Sequence, residues 1–141
     1  MIEAFSTPTN RTKTLLYLVI SGLSAIAAVV VGIDDNPPGL LLAILAAIAF
    51  VLAFSHPWRA TRKFMLLFLA SLLGFVLFVI VSIVSDSVVQ NPGSSVALKN
   101  LIESPVIEAV YVILLMILSG AFIVGVAGSV VMFIRNRRQG N

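Results

Sequence analysis

Four long apolar segments, separated by polar connections, account for most of the chain. They cover about residues 14–33, 39–55, 64–85 and 106–134. A helix rises about 1.5 Å per residue, so roughly 20 residues cross a hydrocarbon core about 30 Å thick. None of the four segments alternates apolar and polar residues as a membrane β-strand does. The pattern predicts an all-α membrane protein of one domain, 1–141, with four transmembrane helices in an antiparallel bundle.

The first connection, "GIDDNPPG", has the residues of a tight turn between two helices. Gly32 can end the first helix, because glycine tolerates the left-handed conformation of a helix C-terminus. Asn36 is a good N-cap for the second helix, and Pro37 suits its first turn. An aspartate in the middle of a bilayer costs about 2.5–3.5 kcal/mol, so Asp34 and Asp35 should hold the turn at the membrane surface.

The same three polar residues, Asp34, Asp35 and Asn36, could also form a contact with a cation or with a partner at this surface. Two carboxylates are too few ligands for a good calcium site, so we favour the turn and predict no metal site. The second connection on this side, 86–105, is longer. Its stretch "SSVALKNLIES" could form a short helix that lies on the membrane interface.

The charges divide the chain between two sides of the predicted membrane. Eight of the nine Lys and Arg residues precede the first segment, join the second to the third, or follow the fourth. With Glu3 they sum to +7, whereas the five acids and Lys99 on the opposite side sum to −4. Basic connections tend to stay in the cytoplasm, so we expect both termini to be cytoplasmic. The first apolar run continues to Ile33, which favours an uncleaved anchor over a signal peptide.

The connection between the second and third segments, "HPWRATRK", carries the polar side chains of the cytoplasmic interface. His56 is the single histidine, and we expect a polar interface residue there, with a ligand or proton-relay role as the alternative. Trp58 fits the aromatic belt of a membrane protein. Arg59, Arg62 and Lys63 can pair with anionic lipid headgroups.

Small residues recur every fourth position on the first and last segments. This small-xxx-small spacing lets helix backbones approach closely, and it is formed by Ser24, Ala28 and Gly32 and by Ala121, Gly125 and Ser129. We expect packing within the bundle, most simply of the first helix against the fourth. The alternative is a homo-oligomer or a larger membrane partner. Four phenylalanines on the third segment form a packing or lipid-facing surface: Phe64, Phe68, Phe75 and Phe78.

The composition excludes several function classes. Sixty per cent of the residues are hydrophobic and 11% are charged, which places the chain in a membrane and argues against nucleic acid as a partner. The chain has no cysteine, so thiolate metal sites and thiol chemistry are excluded. No charged residue lies in the middle of a segment, although ion-coupled carriers and proton pumps usually need one there. We therefore predict no enzyme activity and no cofactor.

"GIDDNPPG" after the first segment and "HPWR" after the second resemble the corresponding turns of small, uncharacterised four-helix membrane proteins of prokaryotes. The resemblance covers mainly the first half of the chain. It implies a four-helix fold in the cytoplasmic membrane of a prokaryote, and it implies no activity and no site residues.

Together these features predict a small, non-enzymatic accessory or interaction protein that stabilises or regulates a membrane partner. The alternative is a small oligomeric transporter or channel for an uncharged or lipid-like substrate. A polar cavity between the helices would favour transport. A dry bundle with an exposed stripe of small residues would favour interaction.

Overall fold

The computed structural model describes residues 2–33 and 36–139, apart from the side chains of residues 2, 3 and 139. The described part is helical and contains no β-strand. Its helices are α1 (Ile2–Phe5), α2 (Pro8–Val31), α3 (Pro37–Ser55), α4 (Thr61–Gln90), α5 (Val96–Ile102) and α6 (Pro105–Gln139). The four long helices are each apolar and long enough to cross a membrane. The prediction of an all-helical chain with four long apolar helices, each able to cross a membrane, is confirmed.

Local residue chemistry accounts for where several helices begin and end. The Thr7 hydroxyl accepts a hydrogen bond from the Asn10 amide, which caps α2 immediately before Pro8. Gly32 ends the same helix with a φ of +89°, a backbone conformation that favours glycine. Further along the chain, Ser95 caps α5 through the Leu98 amide.

The turn after α2 differs in one detail from the expected cap. Asn36 occupies the N-cap position of α3, but its side chain makes no capping hydrogen bond there. Its Nδ2 atom instead donates to the carbonyl oxygen of Val31 at 3.1 Å and so closes the end of α2. Asp34 and Asp35 lie outside the described residues, so the structural role predicted for them remains a prediction.

The four long helices pack as an open row in the order α2, α3, α6, α4. Among the described residues α2 and α6 make no contact, so the expected packing of the first helix against the fourth is wrong. The reason is α3, which lies between them and presents small buried side chains to both. These are Ala43, Ala46, Ala47, Ala49 and Ala53.

Each stripe of small residues packs on a different neighbour. Ser24 and Ala28 are buried on α2, whose long neighbour is α3, and Gly39 at the start of α3 lies directly against the Gly32 carbonyl. On α6, a Cβ added to Gly125 would lie 2.8 Å from the Phe68 amide nitrogen of α4. The small residues therefore permit close helix packing, but not between the pair of helices that the sequence suggested.

The short helix α1 folds back onto the start of α2. The Thr14 hydroxyl donates to the Ala4 carbonyl oxygen at 2.9 Å, and both residues are fully buried. Since α1 also contacts α3, it covers the end of the bundle where α3 finishes.

Candidate functional site

A concave groove lies between α2, α3 and α6. Because α2 and α6 both pack on α3 but not on each other, α3 forms the floor and the other two helices form the walls. The volume is about 440 Å³, within the range of roughly 300–1,000 Å³ that small-molecule sites occupy. We call it the alanine groove; its lining includes Ser21, Ala25, Ala28, Ala43, Ala46 and Ala47.

The lining of the alanine groove is almost entirely apolar. The α6 wall is formed by Val112, Met116 and neighbouring aliphatic residues. The one hydroxyl in the groove, on Ser21, donates to the Ala46 carbonyl oxygen at 2.9 Å. That bond joins α2 to α3 and leaves no free donor, so the groove is suited to an apolar surface and offers little to a polar solute.

Gly22 stands out among the glycines of the long helices. A Cβ added at Gly22 would meet no atom within 4 Å, whereas one added to any of the other helix glycines would collide with a neighbouring part of the chain. Those others are Gly39, Gly74, Gly120, Gly125 and Gly128. Glycine in a helix interior costs about 1 kcal/mol relative to alanine. The packing of this chain therefore accounts for the other five glycines and leaves Gly22 unexplained.

Gly22 lies on the groove side of α2. It precedes Ala25 and Val29 by three and seven residues, so the three residues share one face of the helix. Ala25 and Val29 line the groove, and Gly22 and Ala25 are exposed. This low, exposed rim is where the backbone of another helix could approach α2 most closely.

A second concavity lies where α4, α5 and α6 meet, at the end of the bundle that carries Asp86, Glu103 and Glu108. We call it the acidic pocket; its volume is about 540 Å³, and its lining includes Phe78, Ser85, Asp86, Glu103, Glu108 and Tyr111. The Ser85 and Tyr111 hydroxyls are hydrogen-bonded at 3.0 Å, and the Phe78 and Tyr111 rings meet edge to face. All three acids are exposed, and no group of described residues here could hold a metal ion.

His56 ends α3 at the opposite end of the bundle. Its Nδ1 atom lies 3.2 Å from the Leu52 carbonyl oxygen and 3.1 Å from that of Ala53, which assigns the ring proton to Nδ1. The ring packs on Tyr17 with centroids 5.7 Å apart. Its Nε2 atom is buried without a partner among the described residues. The ring is thus built into the junction of α2 and α3, a contact that the sequence did not indicate.

The aromatic residues predicted as a surface of the third segment form the contact between α4 and α6. Phe68 and Phe75 both pack on Phe122, and the Phe64 ring lies against Gly128. Trp58 packs edge to face on Phe64. These residues hold α4 and α6 together.

The remaining hydroxyls within the long helices bond mostly to carbonyl oxygens of their own helix. Ser55, Ser82 and Ser119 each donate to the carbonyl four residues earlier. Such bonds satisfy a hydroxyl in an apolar medium. They supply no continuous polar path from one end of the bundle to the other.

Comparison of the chain with protein-family models, curated proteins and solved structures finds no match.

Proposed function

We propose that this chain is a non-enzymatic accessory protein that binds one transmembrane helix of a membrane-protein partner in the alanine groove. The observation that carries the proposal is Gly22, the one glycine of the described helices at which an added Cβ would meet no described atom within 4 Å. Close approach of a second backbone would account for it, as it does at Gly39, Gly120 and Gly125.

The shape of the groove supports a helix as the occupant. Its floor of alanines permits close backbone contact, and its walls come from two helices that α3 holds apart. Helix association within a bilayer depends on van der Waals packing between such small residues. Transport of an uncharged or lipid-like substrate is a weaker proposal, because the groove lacks polar groups that would select a substrate and the hydroxyls form no path through the bundle.

We also propose that the chain crosses the cytoplasmic membrane of a prokaryote four times, with both termini in the cytoplasm. The division of charge, +7 against −4, supports this orientation. Contacts of Tyr17 with His56 and of Gly32 with Gly39 support an antiparallel α2–α3 pair. Contacts of Ser85 with Tyr111 and of Thr61 with Asn136 support an antiparallel α4–α6 pair.

A matched pair of variants tests the helix-docking proposal. Gly22→Leu fills the open rim of the groove, and Val30→Phe adds the same number of carbon atoms at an exposed position of α2 that does not line the groove. Each tagged protein is purified from its native membrane in mild detergent, and the co-purified proteins are quantified by mass spectrometry. We expect one membrane protein to be retained by wild type and by Val30→Phe and to be lost from Gly22→Leu.

Two results would contradict the proposal. One is equal retention of every co-purified protein by both variants, which would mean that no partner contacts Gly22. The other is a change in the self-association of Gly22→Leu without loss of any other protein, which would make a second copy of this chain the occupant.

A further inference from the structure

Six basic residues from two distant parts of the sequence lie at one end of the bundle. Asn136 Nδ2 near the end of α6 donates to the Thr61 hydroxyl at the start of α4, at 3.3 Å. This contact brings together residues 75 positions apart in the chain. We call the group the basic cluster; it consists of Arg59, Arg62, Lys63, Arg135, Arg137 and Arg138.

Aromatic rings hold two members of the basic cluster at the edge of the apolar region. The Lys63 Nζ atom lies 6.0 Å from the Trp58 ring centroid, and the Arg137 guanidinium lies 4.9 Å from that of Phe133. Stems that cover apolar surface while the charged ends reach water are typical of residues at headgroup depth. The five arginines of the cluster are exposed, so a ligand can reach them.

The arginines of the basic cluster lie at the opposite end of the bundle from the acids whose side chains the structure describes. These three acids, Asp86, Glu103 and Glu108, all line the acidic pocket. Arg62 and Lys63 lie in the first turn of α4, where the helix dipole disfavours cations, and that turn contains no acid. A bound anion would offset both the dipole and the repulsion among the cations.

We propose that the basic cluster binds the headgroup of an anionic phospholipid that carries two phosphates. Guanidinium groups bind phosphate through paired hydrogen bonds, and the cluster presents them on two helix ends that Asn136 and Thr61 hold together. A headgroup with two phosphates can engage both helix ends at once. The inference is independent of helix docking in the alanine groove.

The lipid specificity is measured on the purified full-length protein in a neutral detergent. Its melting temperature is followed while cardiolipin, phosphatidylglycerol, phosphatidylcholine or inorganic phosphate is added. We expect cardiolipin, with two phosphates, to stabilise at the lowest concentration and phosphatidylcholine to have no effect. Stabilisation by inorganic phosphate alone to the same extent would overturn the assignment to a lipid. An equal response to cardiolipin and phosphatidylglycerol per negative charge would overturn the two-phosphate site.

Two charge-matched variants locate the site. Arg62→Gln with Arg137→Gln removes one cation from each helix end of the cluster, and Arg11→Gln with Lys13→Gln removes two cations from α2. A basic residue near an anionic surface contributes about 1 kcal/mol, so the first variant should need about 30-fold more cardiolipin for half-maximal stabilisation. The second variant should stay close to wild type. Equal weakening of cardiolipin binding in both variants would mean that binding depends only on overall charge, which would overturn the site.

A third variant keeps every charge. Asn136→Leu removes the contact with Thr61, so the two halves of the cluster should lose their fixed relative position. We expect cardiolipin to lose its advantage over phosphatidylglycerol in this variant. If the advantage is unchanged, the fixed pairing of the two helix ends has no role in binding and the proposed site is wrong.

Discussion

Substitution of Gly120 by alanine tests the packing that joins the two halves of the bundle. Contacts between α3 and α6 are the only direct link between the long helices α2 and α3 and the long helices α4 and α6 in the described structure. A Cβ at position 120 would lie 2.7 Å from the Ala47 carbonyl carbon and 2.8 Å from its oxygen. These are backbone atoms, so no side-chain rotation can make room.

The size of the expected effect follows from these distances. Ordinary contact begins at 3.4 Å, so a Cβ at 2.7 Å requires the two backbones to separate by about 0.7 Å. A radial gap of roughly 0.5–1 Å forfeits a quarter to a half of the dispersion energy of each contact along the interface. We expect Gly120→Ala to lower the free energy of unfolding by about 1–3 kcal/mol, the usual cost of overpacking.

The measurement is thermal unfolding in detergent, followed by far-UV circular dichroism. Gly22→Ala is the matched control, since the same added methyl group meets no atom within 4 Å, and it should melt at or above the wild-type temperature. Adding Ala47→Gly to Gly120→Ala should not restore stability, because the atoms closest to the new Cβ are backbone atoms of residue 47. Equal melting temperatures for Gly120→Ala, Gly22→Ala and wild type would mean that close packing of Gly120 on Ala47 does not stabilise the bundle.

Three further predictions concern α1, the topology and the first turn. Thr14→Val should remove the buried hydrogen bond to Ala4, cost about 1 kcal/mol and increase chymotrypsin cleavage after Phe5, whereas unchanged cleavage would mean that this bond does not hold α1. Cysteines introduced at Thr7 and Gln139 into this cysteine-free chain should resist an impermeant thiol reagent in intact cells, while one at Ser94 should react; labelling of either terminus would contradict the orientation. Asp34→Asn with Asp35→Asn should leave the melting temperature insensitive to calcium, as in wild type, and a calcium-dependent rise that only wild type shows would make this pair a cation site.

The sequence predicts the number of long helices because a lipid environment requires every backbone group to bond within its own helix. Apolar runs therefore identify the spans well. They identify the helix ends less well: α2 begins at Pro8 and α4 continues to Gln90, beyond the apolar limits at 14 and 85. Polar residues can continue a helix into water, and capping residues such as Thr7, rather than hydropathy, decide where it begins.

The order of the helices in the row could not be predicted from the sequence. The long helices are apolar on all sides, so no periodic pattern marks the face that meets a neighbour. Small residues indicate that two helices pack closely, but they do not identify the neighbouring helix. Gly120 and Gly125 lie on the same helix, yet the first packs on Ala47 of α3 and the second on Phe68 of α4. The basic cluster could not be predicted for a similar reason, because only the fold brings the end of α6 to the start of α4.

The most direct test of the proposed helix-docking function is site-specific photo-crosslinking in the native membrane. A photoreactive residue replaces Ala25 in the alanine groove or, as a control, Leu66, which is 66% exposed on α4. We expect position 25 to crosslink to a single transmembrane segment of one partner protein, Gly22→Leu to abolish this product, and position 66 not to form it. Crosslinking of position 25 only to lipid or to another copy of this chain, or the same product from position 66, would contradict it.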